Sequence, residues 1–229
     1  MKYFHGDSLD DLITRQIFKP ISDHISAKSV LIYQLLLAVR DMASNGIIHR
    51  DLKSENILVD IETLKLKIID FGLSTRNPTS STNAGTLEYM CPKIVLGVEY
   101  NNRVDVWSLG VIIIKLLTNS DNGLINNNCP TNSTAMETYI STYNKPKVSD
   151  LLNKKLEMVD EYEDRLLPEE LGQLLRVMLN PTYNLDSINY DSCNMYIDNI
   201  LHPTNPWIIY LQENIRNRIN QQKRVGYLS

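Results

Sequence analysis

Cysteine is scarce in this chain of 229 residues, and long apolar runs are missing. The three cysteines, Cys91, Cys129 and Cys193, are odd in number and widely spaced, which argues against a disulfide framework and against a zinc site. The longest apolar stretches, 35–39 and 111–114, are far too short to cross a bilayer. We therefore expect a soluble protein of a reducing compartment, namely the cytoplasm, with the nucleus as an open alternative.

An excess of charge of one sign is also missing. The chain has 23 Lys and Arg against 27 Asp and Glu, a formal net charge of −4, which gives no reason to expect binding to nucleic acid or to a membrane. What the chain does contain is apolar residues, at 43% of the total, which is enough for a buried core.

Apolar spacing predicts helices along most of the chain. Residues 8–17 and about 26–43 carry apolar side chains at helical spacing. Residues 104–117 are apolar almost all round, which predicts a central, buried helix. Further helices are predicted at 151–158, 168–179, 195–201 and 206–219.

Between the predicted helices at about 26–43 and at 104–117, the spacing of apolar residues changes from that of a helix to that of strands. Residues 56–59 and 64–69 are predicted to form a hairpin with its turn at 60–63. Residues 73–85 are predicted to be a loop, and the Asn-rich insertion at 119–143 is predicted to be a surface loop. The predicted fold class is therefore mainly α (α+β), a helical bundle with one small β-hairpin.

The strongest chemical signal is the sequence HRDLKSEN at 49–56, called the HRD loop below, which is followed by the triplet DFG at 70–72. Either motif alone is more often a surface charge cluster or a turn, but here the two occur in order with a hairpin between them. Phosphoryl transfer needs a carboxylate near the attacking hydroxyl and a cation near the moving phosphate. Asp51 suits the first role and Lys53 the second.

Two further residues suit the metal that such a reaction needs. Asn56 offers a neutral oxygen ligand and Asp70 a charged one, and hard oxygen donors are the ligands that Mg²⁺ prefers. The predicted hairpin runs from one of these residues to the other, so its open end would bring them together. The sequence therefore predicts a magnesium site close to the catalytic residues.

Together these motifs resemble the catalytic loop and the metal-binding motif of the eukaryotic protein kinases. GTLEY at 85–89 is similar to the substrate-docking loop of the Ser/Thr kinases, DVWSLG at 105–110 to the start of the family's central helix, and segment 202–208 to its C-terminal signature. The resemblance implies that residues 1–229 form the C-terminal lobe of a protein kinase. The implied function is transfer of a phosphoryl group from ATP, with Mg²⁺, to a Ser or Thr hydroxyl of a protein substrate.

The resemblance also implies a role for each residue of the site. The catalytic residues would be Asp51, Lys53 and Asn56. The residues that contact ATP would be Ser8, Leu58 and Asp70, and the metal ligands would be Asn56 and Asp70. The residues that hold or regulate the site would be His49, Arg50, Phe71, Gly72, Thr82, Thr86 and Asp105.

Two threonines carry more specific implications. The Thr86 hydroxyl is expected to bridge Asp51 and Lys53, which fits the Ser/Thr class. Thr82 has the spacing of an activating phosphothreonine, and a phosphate there would add about −1.5 to −2 charges and pair with Arg50. The alternative is that Thr82 is only a solvated residue of a Ser- and Thr-rich loop.

The chain departs from the family pattern in three ways, one of which is that the Asn-rich insertion at 119–143 has no clear counterpart in the family. The chain begins where the hinge between the lobes would lie, so we expect the N-terminal lobe to be missing and the chain alone to be a very poor kinase. The family's Ala-Pro-Glu motif is Cys91-Pro92-Lys93 here, and Asn184 stands where the arginine partner of that glutamate would lie. Because both partners have changed, no buried charge is left unpaired, and we expect a looser lobe but a folded one.

Two other interpretations stay open. The chain could be a non-enzymatic protein that binds another kinase, or a kinase N-terminal lobe, through its apolar interlobe face and acts as a decoy or regulator. It could also be a fragment of a longer gene product, in which Met1 is an internal methionine.

Overall fold

The computed structural model describes residues 4–18, 27–119, 154, 169–179, 197–206, 208–210, 212–213 and 216. Its helices are α1 (Leu9–Thr14), α2 (Ala27–Ser44), α3 (Pro92–Val95), α4 (Arg103–Thr118) and α5 (Glu169–Met178). Its strands are β1 (Asp7–Ser8), β2 (Ile57–Asp60) and β3 (Lys65–Ile68). Short 3₁₀ turns cover Ser54–Asn56, Phe71–Leu73 and Leu87–Tyr89.

Helix α1 begins at a serine cap and is shorter than its sequence predicted. The Ser8 hydroxyl accepts a hydrogen bond from the Asp11 N–H at 3.0 Å, which satisfies one of the free donors of the first turn. The prediction of a helix over 8–17 is wrong at its C-terminal end. The helix stops at Thr14 because the backbone turns at Gln16, whose φ is 53°.

Helix α4 is the centre of the hydrophobic core, and this confirms the prediction for residues 104–117. Every residue from Val104 to Leu117 is buried, and α2 and α5 pack against the helix. Gly110 allows a close approach, because a Cβ on it would lie 2.9 Å from the side chain of Leu179. Helix α2 also follows its prediction and ends next to Gly46, whose φ of 65° is the left-handed conformation that a glycine C-cap adopts.

The predicted hairpin is present, and it belongs to a three-stranded antiparallel sheet in the order β1-β2-β3. Ile57 pairs with Ile68 at one end of the hairpin, and Asp60 pairs with Lys65 at the other. Side chains alternate along β2, so that Ile57 and Val59 are buried whereas Leu58 is half-exposed. The extra strand β1 places Ser8 opposite Leu58.

The remaining predictions have mixed outcomes. The helix predicted at 168–179 corresponds to α5, and residues 197–200 and 208–210 are helical as predicted. The predicted loop at 73–85 begins at the last residue of the 3₁₀ turn Phe71–Leu73, and its residues 74–85 have no helix or ladder, only the isolated bridge residues Thr75 and Ser80. The predicted helix 151–158 and the Asn-rich insertion lie almost wholly outside the described residues. In the described part of the chain, no helix is both long and apolar enough to span a membrane.

Candidate active site

The HRD loop is fixed to helix α4 by one buried carboxylate. Asp105 is 3% exposed, and its two oxygens accept hydrogen bonds from the backbone N–H groups of His49 at 2.7 Å and of Arg50 at 3.0 Å. Burial raises the pKa of Asp105, and the two N–H donors act in the opposite direction. The same contact accommodates Arg50 with a φ of 70°, a conformation that few side chains adopt without outside support.

His49, the first residue of the HRD loop, connects this loop to the DFG triplet. The ring is fully buried. Its Nδ1 accepts from the Asp51 N–H at 3.3 Å, and its Nε2 lies 3.2 Å from the carbonyl of Ile69. These contacts are both satisfied when the ring is neutral and protonated on Nε2. The ring also packs against Phe71, with 4.7 Å between the centroids, so His49 touches both sequence motifs.

Two side chains of the HRD loop, those of Asp51 and Lys53, contact each other and the side chain of Thr86. The Thr86 hydroxyl donates to Asp51 Oδ1 at 2.8 Å and accepts from Lys53 Nζ at 2.9 Å. Lys53 Nζ also lies 3.4 Å from Asp51 Oδ2. Thr86 therefore bridges the two residues in the arrangement that the sequence predicted. A carboxylate and an ammonium are held side by side, both with part of their surface open to solvent.

Asn56 and Asp70 lie at neighbouring backbone positions across the open end of the hairpin. The Ile69 N–H donates to the Asn56 carbonyl at 2.9 Å, and Asp70 follows directly. The Asn56 amide nitrogen donates to the Asp51 carbonyl at 2.9 Å and to the Asp51 carboxylate at 3.3 Å. Because both bonds use the nitrogen, the amide oxygen is the atom left to bind a ligand.

This pair of oxygen donors fits a magnesium ion that is shared with phosphates. Mg²⁺ in nucleotide sites is typically held by one or two protein ligands, and phosphate oxygens and water complete its shell. Asp70 is exposed and adopts a left-handed conformation with φ 60°, which Gly72 supports by donating its N–H to the carboxylate at 3.3 Å. The described residues contain no group of three or more His, Cys, Asp or Glu side chains that could hold a metal without such help.

The two other residues predicted to contact ATP lie on β1 and β2. Leu58 points away from the core, on the side of the hairpin opposite to Ile57 and Val59. Ser8 is its cross-strand neighbour, but the Ser8 hydroxyl donates to the Asp11 carboxylate at 2.7 Å in addition to capping α1. The geometry thus gives Leu58 an open apolar surface and gives Ser8 a structural function at the start of the helix.

Comparison with known proteins agrees with this geometry. A family model described as "Protein kinase domain" matches residues 1–185. The chain belongs to the protein kinase family. It is 37% identical over 121 residues to the serine/threonine-protein kinase CST20 of Candida albicans. It is also 35% identical over 128 residues to an Aurora kinase of Saccharomyces cerevisiae, and 39% identical over 127 residues to the serine/threonine-protein kinase nekl-2 of Caenorhabditis elegans.

These matches cover only part of each protein. The aligned region is 51% of this chain in all three cases. It is 9% of the Candida albicans relative and 35% of the other two. The chain thus spans about a third or less of the length of these curated kinases.

The segment that contains Thr82 lies against Arg50. The Arg50 guanidinium donates through Nε to the Leu73 carbonyl and through Nη1 to the Ser80 hydroxyl at 3.3 Å. Ser80 Oγ in turn lies 3.3 Å from Thr82 Oγ1, and Thr82 is exposed. Arg50 therefore contacts the Ser80 hydroxyl, with the Thr82 hydroxyl next to it, and no sequence pattern distinguishes Ser80 from its neighbours.

Sequence reasoning missed a buried polar cluster that contacts the HRD loop through Ser54. Lys115 lies in the last turn of the largely apolar helix α4 and is nevertheless buried, and it contacts Tyr89, Asp10 and Glu88. The signal was present in the sequence, because a lysine surrounded by apolar residues on a central helix needs buried partners.

Proposed function

We propose that this chain is a protein serine/threonine kinase domain that transfers the γ-phosphoryl group of ATP to a Ser or Thr hydroxyl of a protein substrate. The observation that carries the proposal is the Thr86 hydroxyl between Asp51 and Lys53, at 2.8 and 2.9 Å. A carboxylate and a cation held side by side are what such a reaction requires of the protein. All three relatives named above are kinases by name and two of them are serine/threonine-protein kinases, which supports the same activity.

In the proposed reaction, Asp51 accepts the proton of the substrate hydroxyl. The hydroxyl oxygen forms a bond to the γ-phosphorus, the bond from that phosphorus to the β–γ bridging oxygen breaks, and ADP leaves. Lys53 offsets the negative charge of the moving phosphoryl group. Thr86 keeps the Asp51 carboxylate oriented, because its hydrogen bond occupies one of the two carboxylate oxygens.

ATP and Mg²⁺ are the cofactors that this proposal requires. Asn56 and Asp70 would hold the metal, and Leu58 would form an apolar floor under the adenine ring. When bound, the metal supplies charge that neutralises the phosphate oxygens. We assign Ser8 to the same face, as a residue that supports β1 beside Leu58.

We further propose that residues 1–229 correspond to the C-terminal lobe of the kinase and receive an N-terminal lobe on the face that carries the DFG triplet. Phe71 and Leu73 are 43% and 41% exposed on this face, and exposed apolar side chains next to a site are typical of interaction surfaces. A kinase-like regulator that binds another kinase through this face is the second candidate function, and the same two side chains favour it.

Nucleotide binding with and without Mg²⁺ tests the site directly. We expect ATP to bind the wild-type chain more tightly with Mg²⁺, and we expect Asp70→Asn to remove the Mg²⁺-dependent part of the affinity. Asp60→Asn is the matched control, because Asp60 is the carboxylate at the opposite end of the same hairpin, where its Oδ1 accepts from the Glu62 N–H at 3.0 Å. Equal Mg²⁺ dependence in both variants would refute the assignment of Asp70.

Phosphotransfer to Ser- and Thr-containing peptides tests the reaction itself, with the chain alone and mixed with the N-terminal lobe of a protein kinase. We expect Asp51→Asn to lower kcat by at least about 100-fold, the usual contribution of a positioned general base. If the mixture binds the added lobe but shows no phosphotransfer that depends on Asp51, the kinase activity is refuted and the regulator remains.

A further inference from the structure

Lys115 is the one cation that helix α4 buries beside the HRD loop in the described part of the chain. Its side chain is only 4% exposed. Its ammonium donates to the Tyr89 hydroxyl at 2.8 Å and to Asp10 Oδ1 at 3.3 Å, and it lies 3.3 Å from Glu88 Oε1. The cost of burying the charge is therefore offset by two carboxylates and a hydroxyl.

These contacts form part of a closed ring of hydrogen bonds. Ser54 Oγ lies 2.6 Å from the Tyr89 hydroxyl and donates to Asp10 Oδ1 at 2.7 Å. One set of donors satisfies the whole ring: Lys115 donates to Tyr89, Tyr89 to Ser54, and Ser54 to Asp10, which also accepts from Lys115. Three members of the ring, Ser54, Tyr89 and Lys115, are buried, whereas the Asp10 side chain is 32% exposed. A ring in which every member has its hydrogen-bond partners restricts the positions of those members.

The ring connects the two segments that carry the proposed catalytic contacts. Ser54 directly follows Lys53 in the HRD loop, and Tyr89 lies three residues after Thr86. The Tyr89 N–H donates to the Thr86 carbonyl at 2.9 Å, and the Tyr89 carbonyl accepts from the Ser108 hydroxyl of α4 at 2.8 Å. A displacement of Tyr89 would therefore be passed on to Thr86.

We propose that Lys115 is a positioning residue, which holds Tyr89 against Ser54 and thereby keeps the Thr86 hydroxyl between Asp51 and Lys53. This inference rests on the proposed kinase activity. Stability alone is a poor explanation for the lysine, because replacing a buried ion pair by an apolar side chain of similar size is often neutral or stabilising. A methionine at this position would leave Asp10 and Glu88 without their cation, but their side chains are 32% and 34% exposed, so water can still reach both carboxylates.

The test compares Lys115→Met with the matched control Lys28→Met. Lys28 also donates to α4, to the Leu117 carbonyl at 3.1 Å, but it is not one of the four members of the ring. We expect Lys115→Met to lower kcat per folded molecule by about 10- to 100-fold, the cost of a small misplacement of catalytic groups, and to leave the KM for ATP unchanged. Lys28→Met should leave both constants within about twofold, as surface substitutions away from such features do.

A second variant covers the case in which Lys115→Met does not fold. Tyr89→Phe removes the hydroxyl from the ring but leaves the ion pairs of Lys115 in place, and we expect it to lower kcat to a similar extent. Because both changes break one ring, the double variant should be no slower than the slower single variant, whereas independent effects would multiply. Multiplied effects, or an unchanged kcat in Tyr89→Phe, would overturn the proposal.

Hydrogen exchange, which does not depend on catalysis, separates the test of this inference from the test of the proposed function. We expect hydrogen exchange at the amides of residues 86–90 to become faster in Lys115→Met and in Tyr89→Phe, while exchange in the hairpin 57–68 stays as in the wild type. If the wild type shows no phosphotransfer that depends on Asp51, the proposed function fails and the exchange data alone judge the positioning role. Unchanged exchange at 86–90 would overturn that role whatever the activity.

Discussion

At the scale of single residues, the HRD loop depends on Asp105 more than on any local preference of its own sequence. The Asp105 carboxylate accepts hydrogen bonds from the backbone N–H groups of His49 and Arg50, at 2.7 and 3.0 Å. These two residues lie 56 and 55 positions away from Asp105 in the chain. We expect Asp105→Ala to lower the free energy of unfolding by about 3–5 kcal/mol, because each hydrogen bond to a charged group is worth about 1.5–3 kcal/mol. Urea unfolding followed by circular dichroism measures this loss.

Two further variants show whether the loss comes from the hydrogen bonds. Asp105→Asn keeps one oxygen but turns an amide nitrogen toward the second N–H, so we expect about half of the loss. Asp41→Ala is the control, because that carboxylate is 71% exposed on α2, and such surface changes stay within about 0.5 kcal/mol. A loss below about 1 kcal/mol for Asp105→Ala would contradict our account of the loop.

At the scale of elements, the spacing of apolar residues predicted the helices and strands whose formation depends on that spacing. The hairpin was predictable because polar and apolar residues alternate along β3 and because β2 is apolar up to Asp60. Helix α4 was predictable because apolar residues lie on almost every side of it. Strand β1 was not predictable, since two residues carry no periodic signal. The end of α1 was misplaced because apolar spacing continues to Ile17, while the chain turns at Gln16 with a positive φ.

The segment between the DFG triplet and Gly85 carries the next prediction. We expect a phosphate on Thr82 to take over the Arg50 guanidinium from the Ser80 hydroxyl, because a phosphate forms much stronger charge-assisted contacts than a hydroxyl. Compared with the wild-type protein phosphorylated on Thr82, the Thr82→Ala variant should show phosphotransfer that is lower by about tenfold, equivalent to about 1.4 kcal/mol. Peptide phosphorylation assays measure the activity, and mass spectrometry locates the phosphate.

The neighbouring hydroxyls provide the controls for this experiment. Ser81→Ala should leave the activity unchanged, because Ser81 is exposed and none of the hydrogen bonds that Arg50 makes runs through it. Arg50→Lys should abolish the effect of the phosphate, since lysine cannot form the bidentate contact. A phosphate found on Ser80, the hydroxyl that Arg50 already contacts, would show that Thr82 is the wrong acceptor.

At the scale of the whole molecule, the contacts that assemble the site join residues far apart in sequence. Lys115 and Asp10 are 105 residues apart, and Lys28 and Leu117 are 89 apart. Such pairs are fixed by the packing of helices against one another, so no local period reveals them. The motifs predict Asp51, Lys53, Asn56 and Asp70 as one site, and this stays a prediction, whereas the buried ring that contains Lys115 could not be predicted without the packed helices.

The stability of the whole fold at alkaline pH offers a last prediction, which depends on Cys91. This thiol is fully buried, and burial raises its pKa from the model-compound value of 9.0 to about 12. Above pH 9 the unfolded chain releases the thiol proton, whereas the folded chain keeps it until about pH 12. The free energy of unfolding must therefore fall as the pH rises through this window, by about 2 kcal/mol between about pH 8 and about pH 10.5.

Cys91→Ala isolates this contribution from the other groups that titrate in the same range. At about pH 8 we expect the variant to be less stable by about 1 kcal/mol, because it loses the packing of one buried sulfur atom. At about pH 10.5 the order should reverse, since the wild type alone has lost the contribution of the protonated thiol. Tyr89, whose pKa burial raises to about 12, destabilises both proteins equally and cancels in the difference. Parallel denaturant titrations at the two pH values measure that difference, and a constant gap between the proteins would mean that solvent reaches the thiol in the folded state.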